Sequence, residues 1–193
     1  MLRHTDTNCV IDVRSVPMSS YNPQFNKEPL SRFLRLNGIQ YAHFGEEFGA
    51  RRTDCIVDGQ VNFEKAIETD AFLRGFSRLK VAIEKGFVIT LLCSEANPLA
   101  CHRFSLISRF LVDNGLTVKH ILHTDELISH EALEREMIDE YVKKGLLQEL
   151  SSDTLWAELD DYKYSDTQQR DDAYRLKNKE IGYRVGEQYQ NLD

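Results

Sequence analysis

The stretch Phe87-Val88-Ile89-Thr90-Leu91-Leu92, followed at once by Cys93-Ser94-Glu95-Ala96-Asn97-Pro98-Leu99-Ala100-Cys101-His102-Arg103, decides how this chain is read. An unbroken apolar and β-branched run, entered from Gly86 and left through polar residues, describes a strand buried on both faces. Beyond the loop, Phe104, Leu106, Ile107, Phe110 and Leu111 form a broad helical face that stops at Asn114-Gly115. Val118 to Leu122 supplies the next strand, and strand, helix, strand in this rhythm implies parallel pairing through right-handed crossovers.

The same rhythm extends upstream. Cys9 to Val13 is a short β-branched strand that runs into Arg14-Ser15-Val16-Pro17, where proline ends regular pairing. Leu30, Phe33 and Leu34 have amphipathic helical spacing before Gly38, and Ile39 to Phe44 reads as a second strand. Gly45 to Asn62, with three glycines and the pair Arg51-Arg52, reads as a long surface loop of the kind that forms lids. Asp70 is placed as the N-cap of a helix carrying Phe72, Phe76, Leu79 and Ile83 as far as Gly86, and Ser129 as the cap of another running from Glu131 to about Lys143. The fold class expected is α/β, with a mostly parallel open sheet flanked by helices over residues 1–150.

The bulk numbers bound the possibilities. A chain of 193 residues suits one medium-sized domain with an appendage. Residues 151–193 hold five of the eight tyrosines, many charges and few aliphatics, so they are expected to form a charged helical C-terminal arm without a core of its own. Trp156, Leu159 and Tyr162 form a narrow stripe by which that arm would dock on its own domain, on a second copy in a homo-oligomer, or on another partner. Four scattered cysteines, no secretory signal and no apolar run near twenty residues point to a cytoplasmic protein without a membrane partner. The net charge of −7, from 31 acidic and 24 basic residues, gives no overall positive field for nucleic acid. A local basic cleft around Arg14, Arg51, Arg52 and Arg103 still leaves a nucleic-acid end open as a partner.

Ligands of open parallel sheets bind at the carboxyl ends of the strands. Two polar segments leave strands here, Asp12 to Pro17 with Ser19 beyond it, and Cys93 to Arg103. A cysteine at a strand end before a helix entrance feels positive backbone potential that favours thiolate. Cys93, Glu95 and His102 are the candidate catalytic residues, as nucleophile and acid–base groups. Asp12, Arg14, Ser19, Cys101, Arg103 and His120 are the candidate substrate-binding residues, the arginines offering planar forks to an anion. Structural alternatives stand beside these: free cysteine is usually a small core residue, Asp12 and Arg14 could be a strand-end ion pair, and a single strand histidine is more often structural. Cys93, Cys101, His102, His120 and His123 are also soft or borderline metal donors, but Cys-x7-Cys-His is no standard zinc ribbon, so neither a metal nor a cofactor is assigned.

Asp12-Val-Arg-Ser-Val-Pro17 with Ser19 and Asn22 to Asn26, Gly38 to His43, Leu92-Cys-Ser-Glu95 with Cys101-His-Arg103, His120-Ile121 and Ser129-His-Glu131 together resemble the successive signatures of the family catalogued as domain of unknown function 488, over roughly Cys9 to Lys143. The resemblance implies the α/β fold and this site, but no settled reaction. It also implies a further strand and helix ahead of Asp12, for which the eleven preceding residues leave no room, so the N-terminal strand is expected to be missing. In outline the chain is similar to rhodanese domains, which join an Ile-Asp-Val-Arg strand to a later strand ending in a cysteine loop. The leading expectation is an enzyme, hydrolase or transferase, acting on an anionic, phosphorylated or nucleotide-like substrate between the two loops. A rhodanese-like sulfur carrier using Cys93 and a non-catalytic ligand- or nucleic-acid-associated binding module are the alternatives.

Overall fold

The computed structural model describes residues 5–148 and 164–186. At its centre β1 (Cys9–Asp12) lies between β2 (Gln40–His43) and β5 (Ile89–Leu92), parallel to both. Cys9 stands opposite Gln40 and Ile89, and Asp12 opposite His43 and Leu92. The carboxyl ends of all three strands are therefore level, and the segments leaving β1 and β5 emerge side by side.

Alternate residues of a strand face opposite sides of its sheet, and β1 is buried on both. Val10 packs with Leu30 and Leu34 of α1 (Lys27–Leu36), while Cys9, Ile11 and Val13 enter the main core. That core is closed by α2 (Gly45–Phe48), α3 (Phe63–Ile67), α4 (Asp70–Glu84) and α5 (Arg109–Asp113). Phe48, Phe72, Phe110 and Phe76 meet in successive edge-to-face pairs with centroids 5.0 Å apart. Each such pair adds about 0.5–1.5 kcal/mol beyond the area it buries.

Three sequence expectations are revised. Gly45 to Asn62 is no free surface loop: it holds α2, a 3-10 turn at Thr53–Cys55, and an antiparallel hairpin of β3 (Ile56–Val57) and β4 (Gln60–Val61), with Phe48, Cys55 and Val61 buried. Asp58 and Gly59 both adopt positive φ, the Asp-Gly chemistry of a tight hairpin turn. Gly45 is required where α2 starts, since a Cβ there would lie 2.5 Å from His43 Nε2 and 2.9 Å from the Arg14 carbonyl oxygen. Secondly, Thr69 caps α4, its hydroxyl accepting from Phe72 N, and Asp70 is the first helical residue. Thirdly, the Val118 to Leu122 strand does not join the parallel sheet. Its core, β6 (Lys119–Ile121), pairs antiparallel with β7 (Leu127–Ser129) in a separate hairpin.

Ser129 caps α6 (His130–Lys143) as expected, accepting from Ala132 N at 3.2 Å. Between the Cys93–Cys101 loop and α5 the chain makes a π-helical turn at Arg103–Ser108, whose residues Phe104 to Ser108 are all buried. In the C-terminal region α7 (Asp166–Ile181) starts with a reciprocal capping box of Ser165 and Gln168. It packs on α6 and on the π turn, placing Ala173 and Tyr174 in a second core with Phe104, Leu133, Met137 and Tyr141. Gln60 Nε2 donates to the carbonyls of Asn178, Lys179 and Gly182, fastening the end of α7 to the hairpin. This part of the arm thus docks on its own domain, while Trp156, Leu159 and Tyr162 lie outside the described residues. Among the described residues no helix is long and apolar enough to cross a membrane.

Candidate functional site

Beyond Leu92 the chain turns outward, and a 3-10 turn at Pro98–Ala100, capped by Asn97 accepting from Leu99 N at 3.0 Å, folds it back. This return brings Cys101 and His102 against Cys93 and Glu95. One donor atom from each of these four side chains lies within 4.8 Å of all the others. Cys93 Sγ is 2.7 Å from Glu95 Oε2 and 3.6 Å from His102 Nδ1, while Cys101 Sγ is 3.4 Å and 3.9 Å from the same two atoms. Cys101 is buried to 1 % exposure and His102 is buried, Cys93 is half-buried, and Glu95 is exposed. The cluster therefore has one open side, and Glu95 stands on it.

The surroundings push the two sulfurs in opposite directions. The neighbouring Cys93 thiol, together with His102 and the Arg103 charge, outweighs burial and lowers the Cys101 thiol to about 3. Cys93 is pushed far up by Cys101, by burial and by the Glu95 carboxylate. The two sulfurs titrate as a coupled pair, in which His102 and Arg103 favour the charged form on the Cys101 side. Arg103 supports this state: its backbone N–H and its Nε donate to Cys101 Sγ at 3.4 Å and 3.2 Å, and its Nη2 donates to the Glu95 carbonyl at 2.8 Å.

The β1 side is arranged differently. Asp12 is wholly buried and receives Arg14 Nε at 2.8 Å, Arg14 Nη2 at 2.5 Å, the Arg14 amide at 3.1 Å and the Tyr41 hydroxyl at 2.7 Å. Burial pushes the Asp12 carboxyl up, but these four donors together hold it below the ordinary carboxylate range. Arg14 also donates to the Phe25 carbonyl, so much of its fork is engaged within the fold. Ser19 sits in a turn, its amide donating to Asn26 Oδ1 and its hydroxyl accepting from Asn22 N.

His120 lies apart from the four-residue cluster. Its Nε2 is 3.1 Å from His130 Nδ1, His130 Nε2 is 2.8 Å from the Tyr174 hydroxyl, and that hydroxyl donates to Glu134 Oε2 at 2.6 Å. With the tyrosine proton on Glu134, a neutral His130 donates from Nε2 and accepts at Nδ1 from His120 Nε2. Burial lowers His120 to about 3, with the neighbouring His130 adding to the effect, and burial lowers His130 as well. Glu134 and Tyr174 were not singled out in the sequence, and His130 entered only within the Ser129-His-Glu131 signature of the family resemblance. Ser129-His130-Glu131 marked the helix start, but nothing in it announced a wholly buried imidazole.

With the geometry in place, comparison with known proteins gives the class. The chain belongs to the family described as "Domain of unknown function DUF488", which it matches over residues 1–111. The matched region contains β1, β2, β5 and the whole Cys93–Arg103 loop, and it ends before the β6–β7 hairpin. No curated protein and no solved structure matches the chain.

Proposed function

We propose that the protein is an enzyme acting on a small anionic substrate, phosphorylated or nucleotide-like, at the carboxyl edge of the sheet. The observation that carries this reading is the convergence of two cysteine sulfurs, a carboxylate and an imidazole within 4.8 Å, open to solvent on the Glu95 side. Structural packing offers no reason to gather four such groups at the level end of parallel strands, where α/β proteins place their ligands. In this reading Glu95 and His102 move protons. Arg103 orients the loop, and its half-buried guanidinium carries five N–H donors, more than its contacts to Cys101, Leu91 and Glu95 use. The spare donors would meet the negative charge of the substrate, with Arg14 reinforcing the field from the adjoining strand end.

A rhodanese-like sulfur carrier at Cys93 fits less well. Persulfide chemistry starts from a thiolate, and the Arg103 donors that would support one point at Cys101 Sγ, whereas Cys93 Sγ faces the Glu95 carboxylate at 2.7 Å.

Turnover by the purified protein against a panel of phosphate esters, nucleotides and other small anions tests the proposal, with Glu95→Gln and His102→Ala beside the wild type. The expected result is turnover of at least one class, reduced about 100-fold or more in Glu95→Gln. Turnover insensitive to both substitutions, or binding without turnover, would reject the assignment, the latter in favour of a non-catalytic module.

A further inference from the structure

We propose that Cys93, Glu95, Cys101 and His102 form a site for one zinc-class divalent cation, held by both sulfurs, by Nδ1 of His102 and by a carboxylate oxygen of Glu95. This goes beyond the enzyme reading and stands without it. Around a tetrahedral zinc with bonds of about 2.0–2.3 Å, neighbouring ligand atoms stand about 3.3–3.8 Å apart. The separations Cys101 to Glu95, Cys93 to His102 and Cys101 to His102 are 3.4, 3.6 and 3.9 Å. Cys93 Sγ and Glu95 Oε2, at 2.7 Å, are too close to be two ligands of one ion. Glu95 is the exposed member, so its side chain is the one that swings aside on loading.

Hydrogen bonding alone accounts poorly for the cluster. A thiol is a weak donor and a weak acceptor, so hydrogen bonds among two sulfurs, a carboxylate and an imidazole hold the four groups together only weakly. A divalent cation would satisfy all four groups at once. Two sulfurs, one imidazole and one carboxylate select a borderline-soft ion such as zinc, cobalt(II) or iron(II), since magnesium and calcium require mainly oxygen ligands.

The surroundings match this use. Two N–H donors of Arg103 already point at Cys101 Sγ, the kind of outer contact that tunes a metal-bound thiolate. Cys101 and His102 form the buried wall, Cys93 is half-buried, and Glu95 stands at the mouth. Three enclosed ligands and one exchangeable one is the layout of a site that admits water or a substrate anion at the fourth position. Of the other candidate donors, His120 is committed to His130, and His123 is exposed beyond β6.

The test loads the full-length reduced protein with zinc or with cobalt(II), removes excess by gel filtration, and measures metal content and absorption. One cation per chain is expected, and the cobalt form should show sulfur-to-cobalt charge transfer in the near ultraviolet. Cys93→Ser and Cys101→Ser should each weaken binding at least about tenfold and diminish that band, whereas Glu95→Gln should keep it because both sulfurs remain. Wild-type protein that retains no cation overturns the proposal, as does a charge-transfer band unchanged in both serine variants. Should the serine variants fail to fold, the wild-type cobalt spectrum alone decides between thiolate ligation and none. Stoichiometric cation without turnover of any anion would remove the enzyme reading and leave the site, while turnover by a protein that retains no cation would do the reverse.

Discussion

Asp12→Ala is expected to destabilise the protein by about 3–5 kcal/mol, because it leaves the Arg14 guanidinium buried without its counter-charge. Arg14 is 8 % exposed, and Asp12 takes two of its N–H groups, its backbone amide and the Tyr41 hydroxyl. Removing the carboxylate strands four donors at the level end of the sheet. Urea denaturation of the variant against the wild type measures the effect, and a loss below about 1 kcal/mol would place this pair with ordinary surface ion pairs. The pH dependence follows from the direction of the shift. With the folded carboxyl held below its ordinary value, its contribution is fully present above the unfolded pKa of about 3.9 and disappears as pH falls through the folded value. The gap between variant and wild type should therefore close in that acid range.

Tyr174→Ala should be comparably damaging, by about 3–5 kcal/mol, the usual cost of emptying a buried aromatic site. Tyr174 fills the junction between α7, α6 and the π turn, with the Arg109 guanidinium 4.3 Å from its ring centroid. It also accepts from His130 and donates to Glu134. Tyr174→Phe separates packing from hydrogen bonding and should cost about 1–3 kcal/mol, the penalty of leaving the buried His130 N–H without an acceptor. Chemical denaturation of both variants tests this, and equal losses would show that the hydroxyl carries the whole effect. The same network predicts acid sensitivity. His120, lowered to about 3, stays neutral in the fold, so its contribution holds above the unfolded pKa and is lost as pH falls from about 6.5 towards 3, at up to about 1.4 kcal/mol per pH unit. His120→Asn should flatten the stability profile across that window.

What the sequence made legible follows the strength of its patterns. Strands buried on both faces announce themselves by unbroken β-branched runs, and β1 and β5 fall within Cys9–Val13 and Phe87–Leu92. Once these are parallel neighbours, Arg14 and Cys93 must emerge together, so the site's place at the sheet edge needed no knowledge of side-chain contacts. Glu95, Cys101 and His102 were named, but their convergence depends on the Pro98–Ala100 turn folding the loop back, which spacing alone does not specify. Val57-Asp58-Gly59-Gln60 carried a readable turn signal that was submerged in a glycine- and arginine-rich stretch. The antiparallel hairpin β6–β7 escaped because three-residue strands have almost no periodicity. The buried face of α7 escaped for another reason. Gln169, Ala173, Tyr174 and Lys177 recur at helical spacing, but only two of them are residues that an apolar pattern counts.

The π turn at Arg103–Ser108 bears on what this segment can tolerate. A π turn is an α-helix carrying one surplus residue. Phe104, within the turn, faces the core shared with α6 and α7, whereas Leu106, Ile107 and Leu111 face the core of the sheet. Deleting one residue between Phe104 and Ser108 would let the chain close as a uniform α-helix with its two flanks nearly in their present phase, because the wide turn is what absorbs the extra residue. The same deletion at Arg109 or Phe110, in regular α-helix, would instead turn Cys101 and His102 by about 100° about the helix axis relative to Leu111. The surplus residue thus marks a point of slack: the rod can shorten there by one residue and still present its first sulfur at nearly the same angle.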